Sequence, residues 1–468
     1  MPKRSSLPLS QWDPAAAWQS WKPDDHNPWS LKWAGHLYRR AAFGARWEEL
    51  QQALQEGPTA AIDRLLAGGP DLAEFNEDMD LTIKGLSKDT DSSALNEHQA
   101  VWLYRMINTP YPLQERLTLF WHNHFATSIA KVHLPGLMQK QNELLRKYAL
   151  GHFRPLLLEI SRDPAMLIWL DSNSNIKGHA NENYAREVME LFTLGFGNYT
   201  EKDVQEGARA FTGWHTAGGE FVFNEVQHDG GVKTFLGQTG SWDGQDIVRI
   251  LLEQPAAARF LTAKLYRFFI SETEAPPERL LEPLAEQFRR SDYDIAGVVR
   301  TILHSRLFFS EYAYRQRVKS PVEYVVGLVR ALEGDEVAPR NLANVMDGLG
   351  QTLFAPPNVK GWDGGKAWLN SATLLARHNL AWSLVGGEDG AFNGKIRVAY
   401  LVRKHAGNQP AKQLDFLLDL FLQGDVSPAD RPKLLTFLQA GQPKEEEIVK
   451  RLNETAHTIL LLPEYQLS

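Results

Sequence analysis

The chain has 468 residues, 43 % of them hydrophobic and 23 % charged, with a formal charge of −7. This is globular composition, long enough to bury a large core, and it lacks the basic footprint that nucleic acid or an anionic membrane surface requires. There is no cysteine, which excludes disulfides, thiolate metal sites and cysteine nucleophiles.

The start, MPKRSSLPLSQWDPAAAW, is basic but lacks the apolar segment of a signal peptide. No run reaches the roughly 18 apolar residues needed to cross a bilayer. The expected location is cytoplasmic on the chain as given, with a periplasmic or exported protein left open. Pro8, Pro14, Pro23 and Pro28 argue against a long helix, so residues 1–35 read as an extended arm. Six of the 14 tryptophans fall between Trp12 and Trp47. They either pin this arm to the body or form a stacking surface for sugars.

A helix is expected over Ser30 to Ala42, a second over RWEELQQALQEG closed by Gly57, and a third from Pro58 to Gly68. Residues 71–93 are acidic and weakly periodic and read as an exposed loop. Helices follow over Asn96 to Met106 and from Leu113 to about Trp121, then over Gln139 to Leu150 and Phe153 to Ser161. NENYAREVMELFTLG carries the clearest apolar stripe and ends at Gly195. Thr200 caps the next helix, with Asp203 three residues on. Between Trp214 and Gly240 the pattern alternates, predicting a β-hairpin with HDGG as its turn. Helices resume at DGQDIVRILLEQ and PAAARFLTAKLYRFFI, over 292–307 and over 321–332. FAPPNVKGWDGGKAWLNS is a loop, and 411–462 is helical again. The expected fold is mainly α, a multi-helix globular array with a small β-hairpin insertion near the middle. The main domain would run over 36–410, with a C-terminal helical segment over 411–468 packed on it.

The blocks HLYRRAAFGA, ERLTLFWHNHFATS, NENYAREVMELFTLGFGNYTEKDV, ARAFTGW, HDGGVKTFLGQTG, RVKSPVEYVVGLVRAL and PPNVKGWDGGKAWLNSATLLAR occur here in that order. They resemble the bacterial domain of unknown function 1800 family from about His36 to the C-terminus. The resemblance implies no reaction. It implies a partner, because members are often encoded beside an exported protein of alkaline-phosphatase-like fold. It also suggests export, from which this chain departs by showing no export signal.

The chemistry-bearing residues are few. His122 and His124 in FWHNHF are two apart. On a helix they diverge by roughly 200°, and they converge on one ion if the helix ends near Trp121. Otherwise they pack as core. Glu187 and Glu190 are three apart on a helix, with Asn183 one turn earlier, a spacing that projects carboxylates together. The same helix offers Glu182–Arg186 and Arg186–Glu190 as surface ion pairs, which need no function. Two His and two Glu would suit a divalent metal, Zn, Mn or Fe. His228 and Asp229 could then supply an acid or base, unless HDGG is merely a turn. Arg317 and Lys319 could hold an anion or simply enter a helix. Lys360, Trp362 and Trp368 could cradle a glycan or fold the loop on itself. No Walker loop, GxSxG, HExxH or dinucleotide fingerprint is present. The residues favour a metal-dependent, hydrolase-like enzyme acting on a cell-surface or polysaccharide-type substrate. The alternatives are a non-catalytic partner or maturation factor of the alkaline-phosphatase-fold neighbour, and a carbohydrate-binding protein.

Overall fold

The computed structural model describes residues 8–86, 92–335, 337–386, 392, 396–441 and 444–468. Helix makes up 64 % of the chain, and among the described residues strands are confined to two two-stranded antiparallel sheets. The mainly α expectation holds.

Local signals explain most of the helices. Thr200 and Asp203 form a capping box ahead of Glu201–Ala210. Pro58 begins Pro58–Ala67, which Gly68 closes. One expected loop is helical, since Leu72–Lys84 is a 13-residue helix. Leu72, Phe75 and Met79 lie on one stripe there, and Met79 is buried. Arg105 sits over the Phe75 ring and donates to Asn76 Oδ1 at 2.7 Å. Those tertiary contacts stabilise a segment whose own periodicity is weak. The rest of the expected loop, 87–91, lies outside the described residues, as do residues 1–7 of the arm.

The arm holds a short helix, Pro14–Trp18. Its rings are packing groups: Trp18 and Trp33 are buried, and Trp21 stacks on Phe309 at 4.5 Å.

The single expected hairpin is two. β1 (Trp214–Ala217) pairs with β2 (Glu220–Phe223), and β3 (Lys233–Phe235) with β4 (Gln238–Gly240). The first turn is Gly218-Gly219, not HDGG. Both glycines have positive φ, as a tight two-residue hairpin turn requires. HDGG is instead the connector between the two sheets.

Buried apolar residues form two clusters. One draws on residues from Leu9 to Tyr314. The other is built chiefly from Val322 to Tyr465 and the helix Ser92–Asn108. The helix Pro112–His124 lies at the seam. Leu113, Leu117, Phe120 and Trp121 enter the first cluster, and Leu119 enters the second.

Candidate functional site

The seam helix runs through His124 without a break. The two imidazoles therefore diverge, and each goes to a different core. His122 packs against Trp102, Phe354 and Trp362, with ring centroids 5.3 to 5.8 Å away. Burial brings its pKa down to about 3. Its Nε2 is buried without a hydrogen-bond partner. His124 lies among Phe125, Phe153 and Phe192, and burial, then Lys264, hold its pKa well below the usual histidine value.

Between them, Asn123 clamps a distant loop. Its Oδ1 accepts from the Trp362 backbone N–H at 2.7 Å, and its Nδ2 donates to the Trp362 carbonyl at 3.4 Å. Gly361 makes the close approach possible. Its φ is +85°, and a Cβ there would lie 2.2 Å from Asn123 Oδ1.

The helix Asn183–Glu187 continues as a π-helical segment, Val188–Thr193. The wider turn explains a difference from the expected surface pairing. Arg186 reaches Glu182 at 3.0 Å and Glu201 at 2.8 Å, while Glu190, rotated away, accepts instead from the Tyr199 hydroxyl. The segment ends with carbonyls that have no helical partner. The Phe192 carbonyl faces His124 Nε2 at 3.1 Å. The Leu191 carbonyl accepts from Lys264 Nζ at 3.0 Å. Lys264 Nζ also lies 2.9 Å from His124 Nδ1. A carbonyl can only accept, so Nε2 carries the proton and Nδ1 accepts from Lys264. His124 has no lone pair left over.

Lys264 belongs to the helix Pro255–Phe269. Its ammonium lies 4.7 Å from the Phe260 ring centroid. Burial, and secondarily the neighbouring Arg267 charge, bring its pKa down to about 7.

These groups line a cleft of about 860 Å³. Its walls combine Phe120, Phe260 and Phe268 with Glu190, Lys264, Arg267 and the Lys360–Gly364 turn. Most of the lining charges are paired. Arg259 meets Glu278 at 2.9 Å, Lys360 meets Asp363 at 2.6 Å, and Arg317 lies 3.5 Å from Glu272. Among the described residues, Lys264 and Arg267 have no carboxylate partner.

Of the residues singled out from sequence, the cleft brings together His124, Glu190, Arg317, Lys360 and Trp362. It does not include the others. Glu187 stays half-buried, with a pKa pushed up to about 7 by burial and by Glu190. Asn183 is exposed and donates to Asp171 at 3.3 Å. Trp368 is buried.

His228 and Asp229 hold the connector between the sheets. His228 Nδ1 is 2.9 Å from the Thr212 carbonyl. Asp229 pairs with Arg209 at 2.8 Å, and that bond draws its pKa down to about 2.

His122, His124, Glu187 and Glu190 are not gathered as one donor set. Among the described residues, three such donors meet at Glu48, Glu333 and His405. There Lys404 Nζ already neutralises the carboxylates, at 3.2 Å from Glu48 and 3.0 Å from Glu333.

Sequence reasoning missed Lys264 and Arg267. The signal was a lone lysine one turn from Phe260 and one turn from Phe268, inside an otherwise apolar helix face.

Residues 36–467 match the profile of a family described as a protein of unknown function, DUF1800. No curated protein and no solved structure matches the chain. No helix among the described residues is long and apolar enough to cross a membrane.

Proposed function

Because the chain belongs to the DUF1800 family of proteins of unknown function, its role has to be read from geometry, and we propose that it takes up a small anionic molecule with an apolar body in the cleft beside Lys264. The observation that carries this reading is the pair Lys264 and Arg267. Both line a ring-walled cleft, and among the described residues neither forms an ion pair with a carboxylate, whereas Arg259, Arg317 and Lys360 do. A cleft of this kind, with apolar walls and a few oriented polar groups, suits a small ligand. Arg267 supplies a forked donor for a carboxylate or phosphate, while Phe120, Phe260 and Phe268 take the apolar body.

Calorimetric titration tests the reading. Short aliphatic and aromatic carboxylates are the probes, with inorganic phosphate as the bare anion and glycerol as the uncharged control. A carboxylate should bind, and Arg267→Ala should weaken it on the order of tenfold or more, since a hydrogen bond to a charged group contributes about 1.5–3 kcal/mol. If no carboxylate binds, or if Arg267→Ala binds as tightly as wild type, the reading fails.

Trp362 on the same wall supports a second reading, a glycan ligand stacked on its ring. Binding of a cello-oligosaccharide, lost in Trp362→Ala and retained in Arg267→Ala, would decide for it. Metal-dependent hydrolysis would require His124 to release Lys264 or Phe192 before it could offer a lone pair.

A further inference from the structure

Lys264 stands apart from the other cations of the cleft by its hydrogen-bond valence. A protonated amine has three N–H bonds to place, and a neutral one has two together with a lone pair. The surroundings of Nζ offer two acceptors, the Leu191 carbonyl at 3.0 Å and His124 Nδ1 at 2.9 Å. Among the described residues no third acceptor is bonded to it. A neutral amine places both hydrogens on these acceptors and leaves its lone pair to the cleft, whereas a protonated amine would turn its third N–H into the cleft.

The environment favours that form. Burial works against the charge, and Arg267, one turn along the same helix, places a like charge nearby. Desolvation and an adjacent cation are the two ways in which proteins activate a lysine as a nucleophile. The two acceptors also fix the amine in place, because both belong to packed elements: the end of the π segment and the buried His124 ring.

We infer that Lys264 forms an imine with a carbonyl compound that also carries a carboxylate, a 2-oxo acid or a close relative, held by Arg267. This inference rests on the cleft reading and names its ligand class. In the reaction the nitrogen lone pair attacks the carbonyl carbon, forming a C–N bond, and the C=O π electrons move to oxygen. The oxygen takes up the proton that nitrogen gives up, producing a carbinolamine. Protonation of that hydroxyl lets it leave as water while the second nitrogen proton is released, leaving C=N. Amine and carbonyl thus give imine and one water, with no oxidant or reductant. Lys264 is the catalytic residue. His124 is a positioning residue that holds the amine through Nδ1 while Phe192 fixes its tautomer.

The test is reductive trapping on the full chain. The protein is incubated with pyruvate and sodium cyanoborohydride, and modified lysines are located by peptide mass mapping. Acetone is the uncharged carbonyl control. At neutral pH, pyruvate should label Lys264 on the order of tenfold or more above the average exposed lysine, whose amine is almost wholly protonated. Lys264→Arg, which keeps a donor at the site, should lose that label, and Lys264→Met should lose it too. Arg267→Ala should lower labelling by pyruvate but not by acetone.

Trapping on the wild-type protein requires no variant to fold. No adduct at Lys264, or an adduct spread evenly over the lysines, overturns the imine. Equal labelling by pyruvate and acetone in both wild type and Arg267→Ala overturns the 2-oxo acid class. Titration without reductant separates the two levels. If carboxylates bind through Arg267 but no adduct forms, the imine fails and the cleft reading stands. If nothing binds and nothing is trapped, both fail.

Discussion

Two sites in this molecule treat their cations oppositely. Glu323 is buried against Arg116 at 2.5 Å and Arg317 at 3.2 Å. Burial alone would raise its pKa, but Arg116 and then Arg317 outweigh burial and hold it down to about 2. The carboxylate also closes a capping box, accepting from the Ser320 N–H at 2.7 Å. Lys264 is half-buried at the cleft, and its partners are a carbonyl and an imidazole. No negative charge opposes the desolvation, and the amine moves toward neutrality. The lesson is that burial does not decide a charge; the partner does. A paired knot such as Glu323 serves the fold. A cation with neutral partners and an open cleft is available for chemistry.

The largest effect expected from this contrast is at the knot. Glu323→Gln leaves the buried Arg116 guanidinium without its counter-charge and Arg317 with Glu272 alone, which should destabilise the protein by about 3–5 kcal/mol in denaturant unfolding. The acid limb should follow. Glu323 is depressed in the folded state, so its contribution is complete above the ordinary carboxylate range and lost as pH falls from about 4.5 toward 2. A Glu323→Gln protein as stable as wild type would remove the distinction between the two sites.

His124→Ala comes next. It strands the Phe192 carbonyl and takes one acceptor from Lys264. A loss of about 1–3 kcal/mol is expected for the unsatisfied group, measured by thermal or denaturant melting. No loss would show that the end of the π segment does not need this cap.

A pH-dependent effect belongs to Lys264 itself. Its folded pKa of about 7 lies below the ordinary lysine value, so between about pH 7 and 10 the unfolded chain holds one more proton. Stability from this group should therefore rise with pH across that window, by at most about 1.4 kcal/mol per unit. In Lys264→Met that rise should be missing. Parallel pH profiles for the two proteins would mean that the amine stays charged.

The smallest expected effect is that of a chelator. With both His124 nitrogens engaged, a chelator should leave the melting temperature of wild type, His122→Ala and His124→Ala where it was. A fall in wild type alone, with metal found by elemental analysis, would return the site to FWHNHF.

Much of the scaffold could be read directly. Apolar spacing and end signals placed the helices at 47–56, 58–67, 153–161 and 201–210. The helix Leu72–Lys84 escaped because its stability comes from Arg105 on another element, and a local pattern does not carry that term. The second hairpin escaped because HDGG looks like a turn, whereas Arg209 claims its aspartate for a connector. FWHNHF stands out in sequence as either a metal-ligand pair or core packing. Its division of labour was not legible there, since three neighbouring residues face two cores and a loop 239 positions away.

Composition and periodicity determined that this chain is mainly helical, has no thiol chemistry, and sets one pair of histidines and one pair of glutamates close together in two short segments. Those are local properties, fixed by side-chain volume, hydrogen-bonding inventory and the 3.6-residue repeat. Tertiary structure alone decided which of those groups meet. Lys264 and His124 are 140 residues apart, and neither has an unusual protonation until packing removes water from both and withholds a carboxylate from the lysine. Desolvation and partner choice are properties of the folded interior, so the amine most suited to chemistry looked, in sequence, like an ordinary lysine on an apolar helix.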